Sequence, residues 1–295
     1  MSNPFEAFGI EVISPSQINA WNDDRGVWYA KARGRVYDDA GPAAWRGDAI
    51  EGGLWSALTG RAPQQTADEI FEARSAQWSK DHDGEVHPQH DEEYAKIGPA
   101  LERAIEACER EGVKAPDTYQ GKVKGYLPGF DAVQVYGKFD FGYGAAGKGS
   151  TLDLKTTKSI PSVPKDGGDP QPEITHAIQA SIYAAIRGDD QAQILYVSTA
   201  DKPRDTYRLI TLDSVKVRYY VNAAVQTLMS IGDTLHAAIA MCDYEMTTPE
   251  AALARLCRPN LLARGGGFYP VFKPDFQRAA CEAVPAWGLH EGAQQ

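Results

Sequence analysis

Cysteine is scarce in this chain and none of it is paired by spacing: Cys108, Cys242, Cys257 and Cys281 stand far apart, with no C-x-x-C among them. That excludes a zinc ribbon and a disulfide framework and leaves reduced thiols as the reading. Long apolar runs are missing too. No stretch approaches the roughly 18 apolar residues that cross a bilayer, and MSNPFEAFGIEVISPSQ has neither a basic nor an apolar leader segment. The expectation is a soluble, intracellular protein without membrane contact. Positive charge is in deficit, with 30 Lys+Arg against 40 Asp+Glu and a formal net charge of -10. This excludes a protein that coats nucleic acid over its whole surface and leaves a local basic site open. No G-x-x-x-x-G-K-[ST] phosphate loop is present, so any strand unwinding is expected to come from another protein. There is no internal repeat. What remains is an ordinary globular composition, 43% hydrophobic and 24% charged over 295 residues, enough to bury a core without covalent or metal staples.

Local signals then divide the chain into stretches. Ser14-Pro15-Ser16-Gln17 combines a capping serine, proline at the first helical position and glutamine three residues on, and opens a short helix through Ile18 and Trp21. A second helix is expected from about Pro42 to Leu58, with Ala44, Ile50, Leu54, Trp55 and Leu58 as its apolar stripe. Gly47, Gly52 and Gly53 weaken that signal. Residues 64–80 read as helical; the polar loop DHDGEVHPQHDEE follows, then a helix from about Glu92 to Glu111. From Asp117 the texture turns strand-like, with TYQGKVKGYLP, DAVQVYGKFDF and STLDLKTT separated by turn residues, as in a three-stranded meander. PEITHAIQASIYAAIRG is an amphipathic helix closed by Gly188; QAQILYVSTA and DTYRLITLD are two more strands, and a long helix spans about Ser214 to Ala240. The last 50 or so residues, with GGGFYPVFKP among them, read as an irregular wrap.

The chemistry is concentrated in Gly137-Lys-Phe-Asp140-Phe and Asp153-Leu-Lys155-Thr-Thr. A [DE]-x-K tripeptide alone carries little weight, since about two arise by chance at this composition. Here, however, Asp140 closes one expected strand while Asp153 and Lys155 share a face of the next by the two-residue period. Two acids and a lysine converge at one end of a hairpin. Phosphodiester hydrolysis needs such a set: hard oxygen ligands hold Mg²⁺, which neutralises the scissile phosphate and acidifies water, and a neighbouring lysine positions or deprotonates the nucleophile. Asp140, Asp153 and the backbone carbonyl of Leu154 are the candidate ligands. The competing reading is a surface hairpin with a cross-strand Asp–Lys pair.

With Gln179-Ala-Ser-Ile-Tyr183 added, GKFDF and TLDLKTT resemble the PD-(D/E)xK nuclease superfamily in its RecB-type, lambda-exonuclease-like branch, over roughly residues 14–240. The resemblance implies an α/β fold, a restriction-endonuclease-like core with a five-stranded mixed sheet flanked by helices and helical additions in front. It implies one nuclease domain over 1–295: a front at 14–112, a catalytic core at 115–240 and a wrap at 241–295. It makes Asp140 the central ligand, Asp153 the second acid and Lys155 the catalytic lysine, with Gln179 and Tyr183 one turn apart beside the site. Arg46-Gly47-Asp48-Ala49-Ile50-Glu51 fits the branch's ligand-bearing helix, so Glu51 is a further catalytic residue and ligand, Asp48 its fallback, and Arg46 a phosphate contact.

Phe139 stands where the naming proline would be. The late cysteines lack the clustering that an iron–sulfur cluster of this branch uses, so none is expected. His82, His87 and His90 lie in an acidic loop and suggest zinc less well than simple solvation. Residues 120–165 hold seven lysines against three aspartates, which suits a groove tracking a DNA backbone better than it suits solubilised edge strands alone. Lys138, Thr156, Thr157 and Lys158 join Arg46 as expected DNA contacts. The expected activity is a Mg²⁺-dependent deoxyribonuclease, Mn²⁺ able to substitute, resecting double-stranded DNA ends to 5′-phosphate products for recombination, of the kind phages encode. It would work in the cytoplasm of a bacterium or a phage-infected host, with a single-strand annealing protein as partner and as a homo-oligomer. The alternatives are an endonuclease or CRISPR-type end-trimming nuclease, and a catalytically idle DNA-binding or assembly module on the same fold.

Overall fold

Proline and capping residues set most helix starts. The computed structural model describes residues 3–35, 40–245, 247–257, 283–284 and 287. Its elements in chain order are α1 (Pro4–Ala7), β1 (Val12–Ile13), α2 (Pro15–Asp23), α3 (Arg25–Ala32), α4 (Pro42–Leu58), α5 (Pro63–Asp81), α6 (His90–Tyr94), α7 (Ile97–Arg110), β2 (Thr118–Leu127), β3 (Phe130–Tyr143), β4 (Ser150–Thr157), α8 (Ile174–Arg187), β5 (Gln191–Ser198), β6 (Tyr207–Leu212), α9 (Ser214–Glu245) and α10 (Pro249–Leu256). Ser14 and Gln17 form the reciprocal capping box that opens α2. The helix expected from Glu92 to Glu111 is instead two, α6 and α7, parted at Ala95–Lys96. Pro99 is the reason: it lacks the N–H that would bond the Ala95 carbonyl, and its ring would clash there. α1, α3, α10 and β1 were not expected; each is too short for periodicity to reveal. The rest of the expected wrap, including GGGFYPVFKP and Cys281, lies outside the described residues.

The chain divides into two compact units, 1–39 with 124–137 and 221–295, and 40–123 with 138–220. In the first, β1 pairs in parallel with β3 at Val12 to Gln134 and Ile13 to Val135. Phe5 meets Phe130 edge-on at 6.0 Å, and Trp21 meets Trp28 at 5.0 Å. Glu250 at the start of α10 is held by the Arg33 guanidinium and the Tyr29 hydroxyl.

The second unit is α/β. β2 and β3 pair, β3 runs antiparallel to β4, β4 parallel to β5 and β5 antiparallel to β6, a mixed sheet with helices on both faces. Alternation along the strands decides what each face carries. Leu152, Leu154, Leu195 and Val197 join Ile50, Leu54, Phe71 and Leu101 in one core under α4, α5 and α7. Asp153, Lys155 and Tyr196 point the other way, toward α8, where His176 and the backbone N–H of Glu173, just before the helix, meet the Tyr196 hydroxyl. The stripe of α4 differs from expectation, because Ala44 is exposed while Trp45 and Ala49 are buried. The glycines that weakened the helix signal are where its neighbours approach. A Cβ on Gly53 would lie 2.8 Å from Leu101 Cδ2 and 3.1 Å from the Pro63 carbonyl oxygen. We expect Gly53→Val to lower unfolding stability by about 2 kcal/mol, an ordinary overpacking effect, read as a reduced denaturant midpoint at unchanged slope.

Candidate active site

The site lies within the second unit, where β3 and β4 part. Their ladder runs through Tyr143–Ser150, Gly142–Thr151 and Phe141–Leu152 and then stops. The next N–H along β4 on that edge, from Leu154, is taken by the Asp140 side chain, which accepts it on Oδ2 at 2.7 Å. Asp140 thereby caps the fork between the strands and faces Asp153. β4 meanwhile stays paired with β5 along its whole length, which holds Asp153 and Lys155 in register with Ile194 and Tyr196. Lys155 Nζ stands 2.6 Å from Asp153 Oδ2. Asp153 is 1% exposed, and its Oδ1 is buried without a hydrogen-bond partner.

Glu51 reaches the same place from α4. Gln120 Nε2 donates to its Oε1 at 3.0 Å. Burial pushes the Glu51 carboxyl up to about 7, with the charges of Asp48 and Asp153 adding to it and the Gln120 hydrogen bond and Lys138 opposing. Asp140 is raised well above the ordinary carboxylate range, by burial first and then by Asp153 and Glu51, against the pull of Lys155 and the Leu154 N–H. Lys155 shows the complement: burial disfavours its charge, yet Asp153 and Asp140 outweigh it and hold the ammonium above the ordinary lysine value. The geometry thus brings Glu51, Asp140, Asp153 and Lys155 together. Three carboxylates against one ammonium leave two formal negative charges in a partly buried space.

Gln179 and Tyr183 stand on α8 with the Gln179 amide donating to the Tyr183 hydroxyl at 3.0 Å. Tyr183 is buried, and its hydroxyl is pushed up to about 12 by burial, with the charges of Asp153 and Asp140 contributing. Leu154 serves through its N–H, while its side chain lies in the core. Lys138 and Lys158 are exposed, and Thr156 lies under Gly47 of α4. Thr157 is tied to Ser159 in a local turn. Arg46 sits differently from the expected phosphate contact. It is 7% exposed and ion-paired with buried Glu93, so reaching phosphate would require breaking that pair. Asp48 pairs with Arg74 at 2.8 Å, which leaves Glu51 rather than Asp48 facing the site. His82 stacks on Trp78 at 3.9 Å, His87 meets Trp45 and Trp78 edge-on, and His90 lies against Phe71. These rings belong to an aromatic cluster. Cys108 and Cys257 are buried, and burial pushes both thiols up to about 12.

Gln120, Tyr119 and His176 were not marked by any motif. Burial and the Lys155 charge lower the His176 imidazole pKa, against Glu173 and Asp153. A lone histidine on a helix and a glutamine in a strand carry no spacing signal that could have found them.

The donor set suits a hard divalent cation. All its atoms are oxygens, Asp153 Oδ1 is an orphaned buried acceptor, and the raised carboxyls record a shortage of positive charge. Each carboxylate is at present held by a protein partner, and among the described residues no three His, Cys, Asp or Glu side chains are already placed to hold a cation. Asp140 and Asp153 would hold the ion by turning from those partners, and Glu51 would hold it through Oε2 while Gln120 keeps Oε1.

No family model matches the chain, and no curated protein matches it. Among solved structures, the crystal structure of a candidate exonuclease from Eubacterium rectale aligns with 75% of this chain and 80% of its own length, at TM-score 0.51 and 19% identity. The likeness is one of fold. A second structure, that of SSO0001, covers 53% of this chain and 70% of its own at 17% identity and TM-score 0.27. No helix among the described residues is long and apolar enough to cross a membrane.

The carboxyl cluster fixes the sign of a pH effect. A carboxyl whose folded pKa exceeds its ordinary value takes up a proton on folding, so its stabilising contribution is complete at low pH and is lost as pH rises through the folded value. For Glu51 that window runs from 4.5 to about 7. In protein free of divalent cations, the melting temperature should fall between pH 5 and pH 7.5, and Glu51→Gln should flatten part of the fall.

Proposed function

We propose that this protein is a divalent-cation-dependent nuclease that hydrolyses DNA phosphodiester bonds at the fork between β3 and β4. The observation that carries the reading is the meeting of Glu51, Asp140 and Asp153 with Lys155, from one helix and two parting strands. Asp140, Asp153, the Leu154 carbonyl and Glu51 would hold Mg²⁺, or Mn²⁺ in its place. When bound, the ion supplies neutralisation of the phosphate and a more acidic water. Lys155 keeps its proton beside two carboxylates and offers positive charge to a non-bridging phosphate oxygen rather than acting as a base. Gln179 and Tyr183 form the wall on the α8 side, where their linked amide and hydroxyl orient the backbone of the strand being cut. A new bond forms between water oxygen and phosphorus, the bond to O3′ breaks, and the water's proton ends on that leaving oxygen, giving a 5′-phosphate. The exposed Lys138 and Lys158 would flank the DNA.

Within that chemistry we favour resection of double-stranded ends for recombination, as in phage-type exonucleases, working in the cytoplasm beside a single-strand annealing protein and as a homo-oligomer. The fold shared with a candidate exonuclease supports the direction. End-labelled linear duplex, single strands and closed circles with Mg²⁺ test the reading. Linear duplex should be shortened and circles survive, and Asp153→Ala or Lys155→Ala should lower the rate ~10²-fold or more. Cleaved circles would mark an endonuclease, and equal inertness of wild type and variants on all three would leave an idle DNA-binding module.

A further inference from the structure

Gln120 is a non-glycine residue with φ of 51° inside strand β2. That left-handed conformation suits glycine, asparagine and aspartate far better than glutamine. A strand also sends consecutive side chains to opposite faces, yet Tyr119 and Gln120 both serve Glu51. The Gln120 amide donates to Glu51 Oε1 at 3.0 Å. The Tyr119 ring is stacked on Trp55, one helical turn beyond Glu51, at 4.9 Å and 11°. Its hydroxyl lies 3.4 Å from where a Cβ on neighbouring Gly52 would be, close enough to Glu51 that burial and the Glu51 charge together push the phenol upward. The left-handed turn at Gln120 is what brings both groups to one side. A glycine would satisfy the backbone with less strain, and the amide is what a glycine lacks.

We infer that Tyr119 and Gln120 form a strained clamp that holds the Glu51 carboxylate in the orientation needed to bind a divalent cation, with Gln120 as a positioning residue. This rests on the reading of the site as a divalent-cation centre. The clamp trades backbone comfort for ligand geometry, so its two effects separate in Gln120→Gly. Calorimetric titration of the full chain with Mn²⁺ in the absence of DNA, together with melting in the absence of metal, reads both. Gln120→Gly should melt at the same temperature or higher, yet bind Mn²⁺ about 10- to 100-fold more weakly, the usual loss when a ligand's supporting hydrogen bond is removed. Tyr119→Phe, which keeps the stack on Trp55 and removes only the hydroxyl, should weaken Mn²⁺ in the same direction. Wild-type binding with unchanged affinity in Gln120→Gly overturns the clamp and leaves the cation centre standing. No Mn²⁺ binding by the wild type overturns the centre and the clamp with it.

Discussion

The bond from the Leu154 N–H to the Asp140 carboxylate marks where the β3–β4 ladder stops, and the remaining charged groups are arranged around it. A ladder that continued would place Asp140 and Asp153 as a like-charged cross-strand pair, which is unfavourable. The strands part instead, and the acid takes over the backbone donor that parting leaves unpaired. β4 does not move with β3, because every residue from Ser150 to Thr157 is registered against β5. The opening is thus bounded by a rigid parallel pair on one side. Alternation then sends Leu152 and Leu154 into the core and Asp153 and Lys155 into the gap.

Concentrating acids in this way opposes folding. Two of the three carboxyls are pushed toward their neutral forms by burial and by neighbouring carboxylates, Asp153 among them in both cases, and one ammonium is too little to balance them. Ion pairs kept for structure alone would be closer to balanced, as with Arg187 and buried Asp189, whose carboxylate also accepts the N–H groups of Gly147 and Gly149. That contrast separates the two clusters. One satisfies its acceptors internally and tethers the β3–β4 turn, while the other leaves Asp153 Oδ1 buried without a hydrogen-bond partner. Local instability of this kind is common where a charged ligand is to be received.

The helical front supplies geometry. Gly52 and Gly53 allow α5 and α7 to close on α4, which fixes the height at which Glu51 leaves the helix. Arg46 and Glu93 tie α4 to α6 in a buried ion pair, and Trp45, Trp78 and Phe71 gather His82, His87 and His90 around them. The polar loop is anchored by ring contacts, and the residue that most resembled a phosphate contact is part of the anchor.

Much was readable in the chain itself. α4, the meander, α8, β5, β6 and most of α9 follow from apolar period and turn residues, which act over a few residues and so survive in one dimension. Asp153 and Lys155 could be set on one face because a strand's period is two, and Gln179 and Tyr183 on one helix face because four residues make about one turn. Short elements such as α3 and α10 escaped, having too few residues to show a period, and Pro99 divided a helix that composition alone joined. What tertiary structure decided was which charges meet. Whether Arg46 faces solvent or Glu93, that Glu51 reaches Asp153, and that Gln120 would hold Glu51 all depend on residues 47 to 102 positions apart in sequence, brought close by packing. Local sequence specifies the elements through short-range sterics and hydrogen bonding, whereas burial and the charge of distant neighbours assign each acid its state.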